Sequence, residues 1–292
     1  MGIWNHLDIE ITAASGRPFV LAHRYNVSGG SISQAYRLEG GQESYFLKLN
    51  QSSMLDMFAA EAEGLEALLQ GMAIRVPQPI CWGEYGDFSY LVMENIELDG
   101  CLDTRQFGHH LAKLHQFPQE QFGWHRDNTI GSTPQINTWN ENWIDFWREH
   151  RLGFQLGLAQ SKGISGKLSN KGERLMVLFP GLFDGYTPKA SILHGDLWAG
   201  NWGADGQGMP VIFDPAVYFG DHEADLAMME LFGNPGRDFF SAYQDVFTLD
   251  PGYSVRKVFY NLYHILNHFN LFGGGYARQA EGMIDQLLAE VV

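Results

Sequence analysis

The stretch Ile192-Leu-His194-Gly-Asp196-Leu-Trp198-Ala-Gly-Asn201 is followed by Val211-Ile-Phe-Asp214-Pro215, with Asp214 thirteen residues after Asn201. In the spacing His-x-Asp-x-x-x-x-Asn, the aspartate can accept the proton of an attacking hydroxyl and the asparagine can hold a magnesium ion, a pairing suited to phosphoryl transfer. Asp214, at the end of the next apolar run, would hold magnesium as well. One such tripeptide arises by chance. Three oxygen-bearing side chains at these intervals, each bordered by strand-like apolar residues, are much harder to obtain that way.

Outward from this stretch the chain divides in character. Arg24–Val27, Gln34–Leu38 and Ser44–Leu49 alternate as short strands separated by a glycine-rich bend at Ser28-Gly29-Gly30-Ser31 and a turn at Glu39-Gly-Gly-Gln42. Met54–Gln70 carries apolar residues at Phe58, Ala62, Leu65, Leu68 and Leu69, a period near that of a helix with one buried face. Strands are expected again near Ile80–Trp82 and Phe88–Met93. Beyond Asn95 the pattern becomes helical: Thr104–Phe117, a tryptophan-rich segment Trp139–Leu158, Lys167–Phe179, Ser254–Phe269 and Tyr276–Val291. The short strands Ser191–His194 and Pro210–Phe213 lie within that region, and Asp205-Gly206-Gln-Gly208 can turn a small hairpin between Trp202 and Val211. The expected class is α+β, with a small antiparallel-sheet lobe over residues 1–95 that binds the nucleotide and a larger helical lobe over 96–292 that carries catalysis and acceptor binding.

Bulk properties remove several alternatives. A chain of 292 residues with 45% hydrophobic and 14% aromatic content can bury a substantial core. A formal charge of −15 opposes binding to nucleic acid or an anionic membrane. No basic segment followed by an apolar run opens the sequence, so a cytoplasmic protein is expected. Cys81 and Cys101 have no metal-ligand spacing and read as free, mostly buried thiols. ATP is anionic too, so it needs local help from magnesium and a well-placed lysine.

Lys48, in the strand Tyr45-Phe-Leu-Lys-Leu49, is the candidate for that role. A strand lysine is ordinarily a solvated edge residue, but this one follows the glycine bend and precedes a helix carrying Glu61 and Glu63. Glu61 borders the apolar helix face and is the expected partner of Lys48, whereas Glu63 is expected to face solvent. Gly29, Gly30 and Ser31 could cover phosphates, although the bend lacks the full Gly-x-Gly-x-x-Gly pattern. Met93, Glu94 and Asn95, where an apolar strand ends, are candidates for adenine recognition through the backbone. Asp196 is the candidate base. His194, two residues before it, is read as ordering the loop. Asp225 is either a third metal ligand or, the preferred reading, a buried acceptor for catalytic-loop amides. His109, His110 and His115 have poor spacing for zinc and read as core or surface histidines.

With these motifs in place, the chain resembles the fructosamine/ketosamine kinase family, a branch of the aminoglycoside-phosphotransferase and protein-kinase-like superfamily. The resemblance is carried by Ser28-Gly-Gly-Ser-Ile-Ser-Gln34, Met57-Phe-Ala-Ala-Glu61, Phe122-Gly-Trp124 through Gly131, the Trp139–Phe154 segment, His194–Asn201 and Val211–Pro215. It implies a two-lobed protein-kinase-like fold. It also implies Asp196 as proton acceptor, Asn201 and Asp214 as magnesium ligands, Lys48 with Glu61 on the phosphates of ATP, and Met93–Asn95 along adenine. Trp198 is family-specific by the same resemblance, offering a flat face for a sugar ring, the alternative being a core tryptophan. The implied reaction phosphorylates the 3-hydroxyl of a ketosamine, either a small molecule or a glycated protein lysine, and serves deglycation. Rival readings are a kinase of the same fold for an aminoglycoside or amino alcohol, and a nucleotide-binding module without turnover.

Overall fold

The computed structural model describes residues 2–28, 32–164 and 166–291. The chain forms two compact units, one of residues 1–103 with 203–215 and the other of residues 104–202 with 216–292.

The first unit is built on a five-stranded antiparallel sheet of β1 (His23–Val27), β2 (Gln34–Gly40), β3 (Glu43–Gln51), β4 (Pro79–Tyr85) and β5 (Phe88–Glu94), in the order β1-β2-β3-β5-β4. Because side chains alternate along a strand, Leu47 and Leu49 of β3 point to one face and Lys48 to the other. Leu47 and Leu49 join Leu38, Tyr90 and Val92 in a core closed by Leu7 and Ile11 of helix α1 (Ile3–Ser15) and by Phe19. Helix α2 (Leu55–Gln70) buries Phe58, Ala62, Leu65 and Leu68, the period read from the sequence. Glu63, expected to face solvent, is half-buried, and the exposed glutamate of this helix is Glu66.

Residues 203–215, expected within the helical lobe, belong to the first unit. There β10 (Pro210–Ile212) returns from β9 (Trp202–Ala204), and Val211 bridges in parallel to Arg75 in the α2–β4 connection. No local pattern could assign this hairpin, since its anchor is Arg75, far away in sequence. Of the two cysteines, Cys81 is half-buried and Cys101 is exposed, so the expectation of buried thiols fails at Cys101.

The second unit contains α3 (Thr104–His115), the short strands β6 (Asn128–Ile130) and β7 (Thr133–Gln135), then α4 (Trp143–Trp147) and α5 (Gly153–Ser161). The tryptophan-rich helix therefore begins at Trp143 and not at Trp139, because Asn142 takes an extended backbone and caps it by accepting from the Asp145 amide at 3.1 Å. Between α4 and α5 the chain makes a π-helical turn, Arg148–Leu152. That turn carries Arg151 into the interior, where its guanidinium donates to Ile136 O (2.6 Å) and Asn137 Oδ1 (2.7 Å) and lies 4.1 Å over the Tyr218 ring. Helix α6 (Lys167–Leu178) and a two-stranded ribbon of β8 (Ala190–Leu193) with β11 (Tyr218–Asp221) follow, then α7 (Glu223–Leu231), α8 (Arg237–Gln244), α9 (Tyr253–Phe272) and α10 (Tyr276–Glu290). The α4–α9 contact is aromatic: Trp143 Nε1 donates to Tyr260 Oη at 3.0 Å, and the Trp147 and Tyr260 rings meet edge to face at 4.9 Å. No described helix is long and apolar enough to cross a membrane.

Candidate active site

In the first unit, β3 and α2 deliver opposite charges to one point. Lys48 Nζ lies 2.6 Å from Glu61 Oε1 and 2.6 Å from Asp214 Oδ1. The Lys48 and Glu61 side chains are only 14% and 12% exposed, whereas Asp214 keeps 43%, so the cradle opens to solvent on the aspartate side. Burial works against the Lys48 ammonium, but the two carboxylates outweigh it and hold its pKa well above the ordinary lysine value. Burial pushes the Glu61 carboxyl upward; Lys48 draws it back in part, and the Asp214 charge adds to the rise. A permanently cationic lysine braced by a buried glutamate is suited to meet phosphate oxygens.

Asp214 has a left-handed backbone, φ 58°, a conformation uncommon outside glycine and best tolerated by Asp and Asn. Met93 is buried, and Glu94 closes β5 with its amide donating to Gln78 O at 2.8 Å. A base read on this segment would thus use backbone groups other than that amide. The Asn95 side chain donates to Glu97 Oε1 at 2.9 Å. Gly29, Gly30 and Ser31 lie outside the described residues.

In the second unit, the fully buried strand β8 ends at Leu193, and the chain passes His194 and turns through Gly195 at φ 81°. A Cβ at Gly195 would sit 2.1 Å from Ala216 O, so only glycine fits between β8 and the chain entering β11. Asp225, from the first turn of α7, accepts the His194 amide on Oδ2 (2.7 Å) and the Gly195 amide on Oδ1 (2.9 Å). Its Oδ2 also lies 3.2 Å from His115 Nε2, and His115 Nδ1 lies 2.7 Å from Tyr243 Oη. Burial alone would raise the Asp225 carboxyl, but the hydrogen bond and charge of His115, with His194 and the Gly195 amide, hold it below the ordinary range. The geometry thus matches loop support, the second of the two readings of Asp225.

Within the loop, the Asp196 amide donates to His194 Nδ1 at 3.3 Å, and Asn201 Nδ2 donates to Asp196 O at 2.8 Å and Asp196 Oδ2 at 3.3 Å. Asn201 is buried, and turning its amide nitrogen to Asp196 makes the oxygen the part of the amide suited to a cation. Trp198 is 42% exposed, so the core-tryptophan alternative does not describe it. Its indole lies over Gly200, where a Cβ would come within 2.3 Å of the ring.

Asn201 and Asp214 each carry a side-chain oxygen, a hard donor type that suits magnesium better than a softer ion. Among the described residues no group of three or more His, Cys, Asp or Glu could hold a metal ion, His109, His110 and His115 included. Two supports carry no mark in the sequence, His115 with Tyr243 and Arg75 with Asp205. His115 ends a run of buried helix positions, and Arg75 stands between buried Ile74 and Val76, but neither pattern names a partner.

Comparison with known proteins gives the family. The sequence profile described as Fructosamine kinase matches residues 3–290. The "Probable ketoamine kinase" of Synechocystis sp. is 47% identical, covering 98% of this chain and 97% of its own. The chloroplastic protein-ribulosamine 3-kinase of Oryza sativa subsp. japonica is 42% identical over 90% of this chain and 78% of its own. Among solved structures, a Haemophilus somnus protein described as a candidate fructosamine-3-kinase matches with a TM-score of 0.89 at 26% identity, over 98% of this chain and 100% of that one. A thermostable mutant of an aminoglycoside phosphotransferase, at 15% identity and a TM-score of 0.61 over 97% of this chain and 98% of that one, shares the fold. The chain belongs to the fructosamine kinase family, and its α+β fold is shared with the aminoglycoside phosphotransferase.

Proposed function

We propose that this protein transfers the γ-phosphoryl group of ATP to a sugar hydroxyl, the 3-hydroxyl, of a fructosamine or ribulosamine, borne on a small amine or on a protein lysine. The observation that carries the phosphoryl-transfer reading is Lys48 held between Glu61 and Asp214 at 2.6 Å from each. Two relatives named for ketoamine and protein-ribulosamine phosphorylation support the acceptor class.

In this reading the first unit binds the nucleotide, Lys48 meeting its phosphates and Met93–Asn95 its base. The glycine bend at Gly29, Gly30 and Ser31 is assigned to the phosphates by sequence alone. Asp196 accepts the proton of the acceptor hydroxyl and orients the oxygen for in-line attack. Its backbone is fixed through His194 and Asn201, and the loop through Asp225, so the carboxylate needs little reorganisation to act. Asn201 and Asp214 would hold magnesium, which when bound offsets phosphate charge. Trp198 offers an apolar face to the sugar. Phosphorylation at the 3-position would destabilise the sugar adduct and release the amine, which is deglycation.

The test is a phosphorylation screen with magnesium and ATP against fructosamines, ribulosamines, unmodified sugars and aminoglycosides, read by mass spectrometry. Phosphate on the ketosamines alone is the expected result. Turnover of aminoglycosides but not ketosamines would overturn the acceptor assignment, and no turnover with retained nucleotide binding would favour a binding module.

A further inference from the structure

Asp214 holds an uncommon backbone conformation, and such conformations persist only where the surroundings over-determine them. Lys48 grips its carboxylate from one side. A second constraint comes from Arg75. Ile212, two residues before Asp214, donates its amide to Arg75 O at 3.0 Å, and Val211 forms the parallel bridge to the same residue. The Arg75 guanidinium then reaches both ways. It pairs with Asp205, whose Oδ1 accepts the Gln207 and Met209 amides at 3.0 Å each and so shapes the β9–β10 turn. It also pairs with Glu94 at 2.8 Å, at the end of β5. Buried Ile74 and Val76 fix the Arg75 backbone on either side. One residue thus ties the hairpin leading to Asp214 to the sheet that carries Lys48.

We propose that Arg75 is a positioning residue for Asp214, holding the metal-ligating carboxylate in register with the nucleotide-binding unit; this rests on the magnesium-ATP reading above. The planar, five-donor guanidinium matters because two carboxylates are held at once, which an ammonium on a flexible stem does poorly. The pair with Glu94 is exposed on both sides and adds little to folding, whereas Asp205 is only 7% exposed and its pair with Arg75 shapes the turn, so the thermal midpoint is read beside the affinity.

The experiment compares wild type, Arg75→Ala, Arg75→Lys, Asp205→Asn and the Arg75→Ala/Asp205→Asn pair. It measures binding of a non-hydrolysable ATP analogue by calorimetry with magnesium and with a chelator, alongside the thermal midpoint. Arg75→Ala is expected to weaken magnesium-dependent binding roughly tenfold, the lower end for groups that orient a metal ligand. Binding in chelator should stay near wild type. Asp205→Asn should reproduce part of the loss, the pair should lose no more than Arg75→Ala, and Arg75→Lys should recover only part. Equal losses with and without magnesium, or magnesium-dependent affinity within twofold of wild type, would overturn the proposal. If Arg75→Ala fails to fold, Arg75→Lys and Asp205→Asn decide by the same comparison. A wild type that binds no magnesium-ATP analogue would overturn the nucleotide reading, and this inference with it, and is told apart by the wild-type measurement alone.

Discussion

At the scale of single residues, charge and backbone conformation make separable demands on Asp214. Asp214→Asn keeps a residue that tolerates φ 58° and removes the charge, whereas Asp214→Ala removes the charge and adds strain. Both should weaken magnesium-ATP binding, and Asp214→Ala should in addition lower stability by about 1 kcal/mol. Calorimetric titration with parallel urea unfolding separates the two effects; identical stabilities would remove the strain argument. For Asp196, substitution by Asn should cut turnover roughly a hundredfold or more while nucleotide affinity holds, since base catalysis is worth about that much. Near-normal turnover in a folded variant contradicts the assignment. Trp198→Ala tests the acceptor face: loss of stacking and apolar burial worth about 1–3 kcal/mol predicts a five- to hundredfold drop in kcat/KM for the ketosamine with unchanged nucleotide affinity.

At the scale of elements, the buried pair between α7 and α9 carries the clearest expectation. Arg256, 2% exposed, meets both oxygens of fully buried Glu223 at 2.8 Å, and also Asp250 at 2.7 Å. Arg256→Ala leaves the Glu223 carboxylate buried without its cation, a change that typically costs about 3–5 kcal/mol. Urea unfolding measures it, and a cost under about 1 kcal/mol would mean that solvent or another residue replaces the guanidinium. The period of α2 was legible in the sequence because its packing face repeats every turn. Helix α1 was not, since only Leu7 and Ile11 are buried and its apolar stripe is thin. Trp143 as the true start of the tryptophan-rich helix was obscured because Trp139 continues its apolar pattern upstream of the cap.

At the scale of the whole molecule, acid stability follows from two buried histidines in the second unit. Burial pushes His222 down to about 3, with His115 and Arg256 adding to the effect and Asp225 opposing it. His264 is likewise lowered to about 3 by burial, with His268 and Arg151 adding and Asp225 opposing. A histidine whose folded pKa lies below its unfolded value of about 6.5 takes up protons more readily when unfolded. The stability it contributes is complete above about pH 6.5 and is lost as pH falls toward 3. Each should add up to about 1.4 kcal/mol per pH unit to the slope. Because buried Glu223, whose pKa burial raises to about 7, contributes the opposite slope, the test is the difference: urea midpoints between pH 7.5 and 5 should depend on pH in His264→Gln and His222→Gln with a smaller loss toward pH 5 than in the wild type; unchanged slopes in both would show that neither histidine is responsible.

The sequence by itself determined what short periods and fixed spacings encode. Those are the loop from His194 to Asn201, Asp214 at a strand end, Lys48 opposite Leu47 and Leu49, and Glu61 beside the buried face of α2. Each follows from geometry repeated within a few residues of chain. Only the tertiary structure decided which distant groups meet: Asp225 with the loop amides and His115, the hairpin 203–215 with the first unit, and Arg75 with Asp205, 130 positions away. A charged or polar side chain carries no local mark of its partner. That choice is made when buried groups must find hydrogen bonds among whatever the fold has brought within reach.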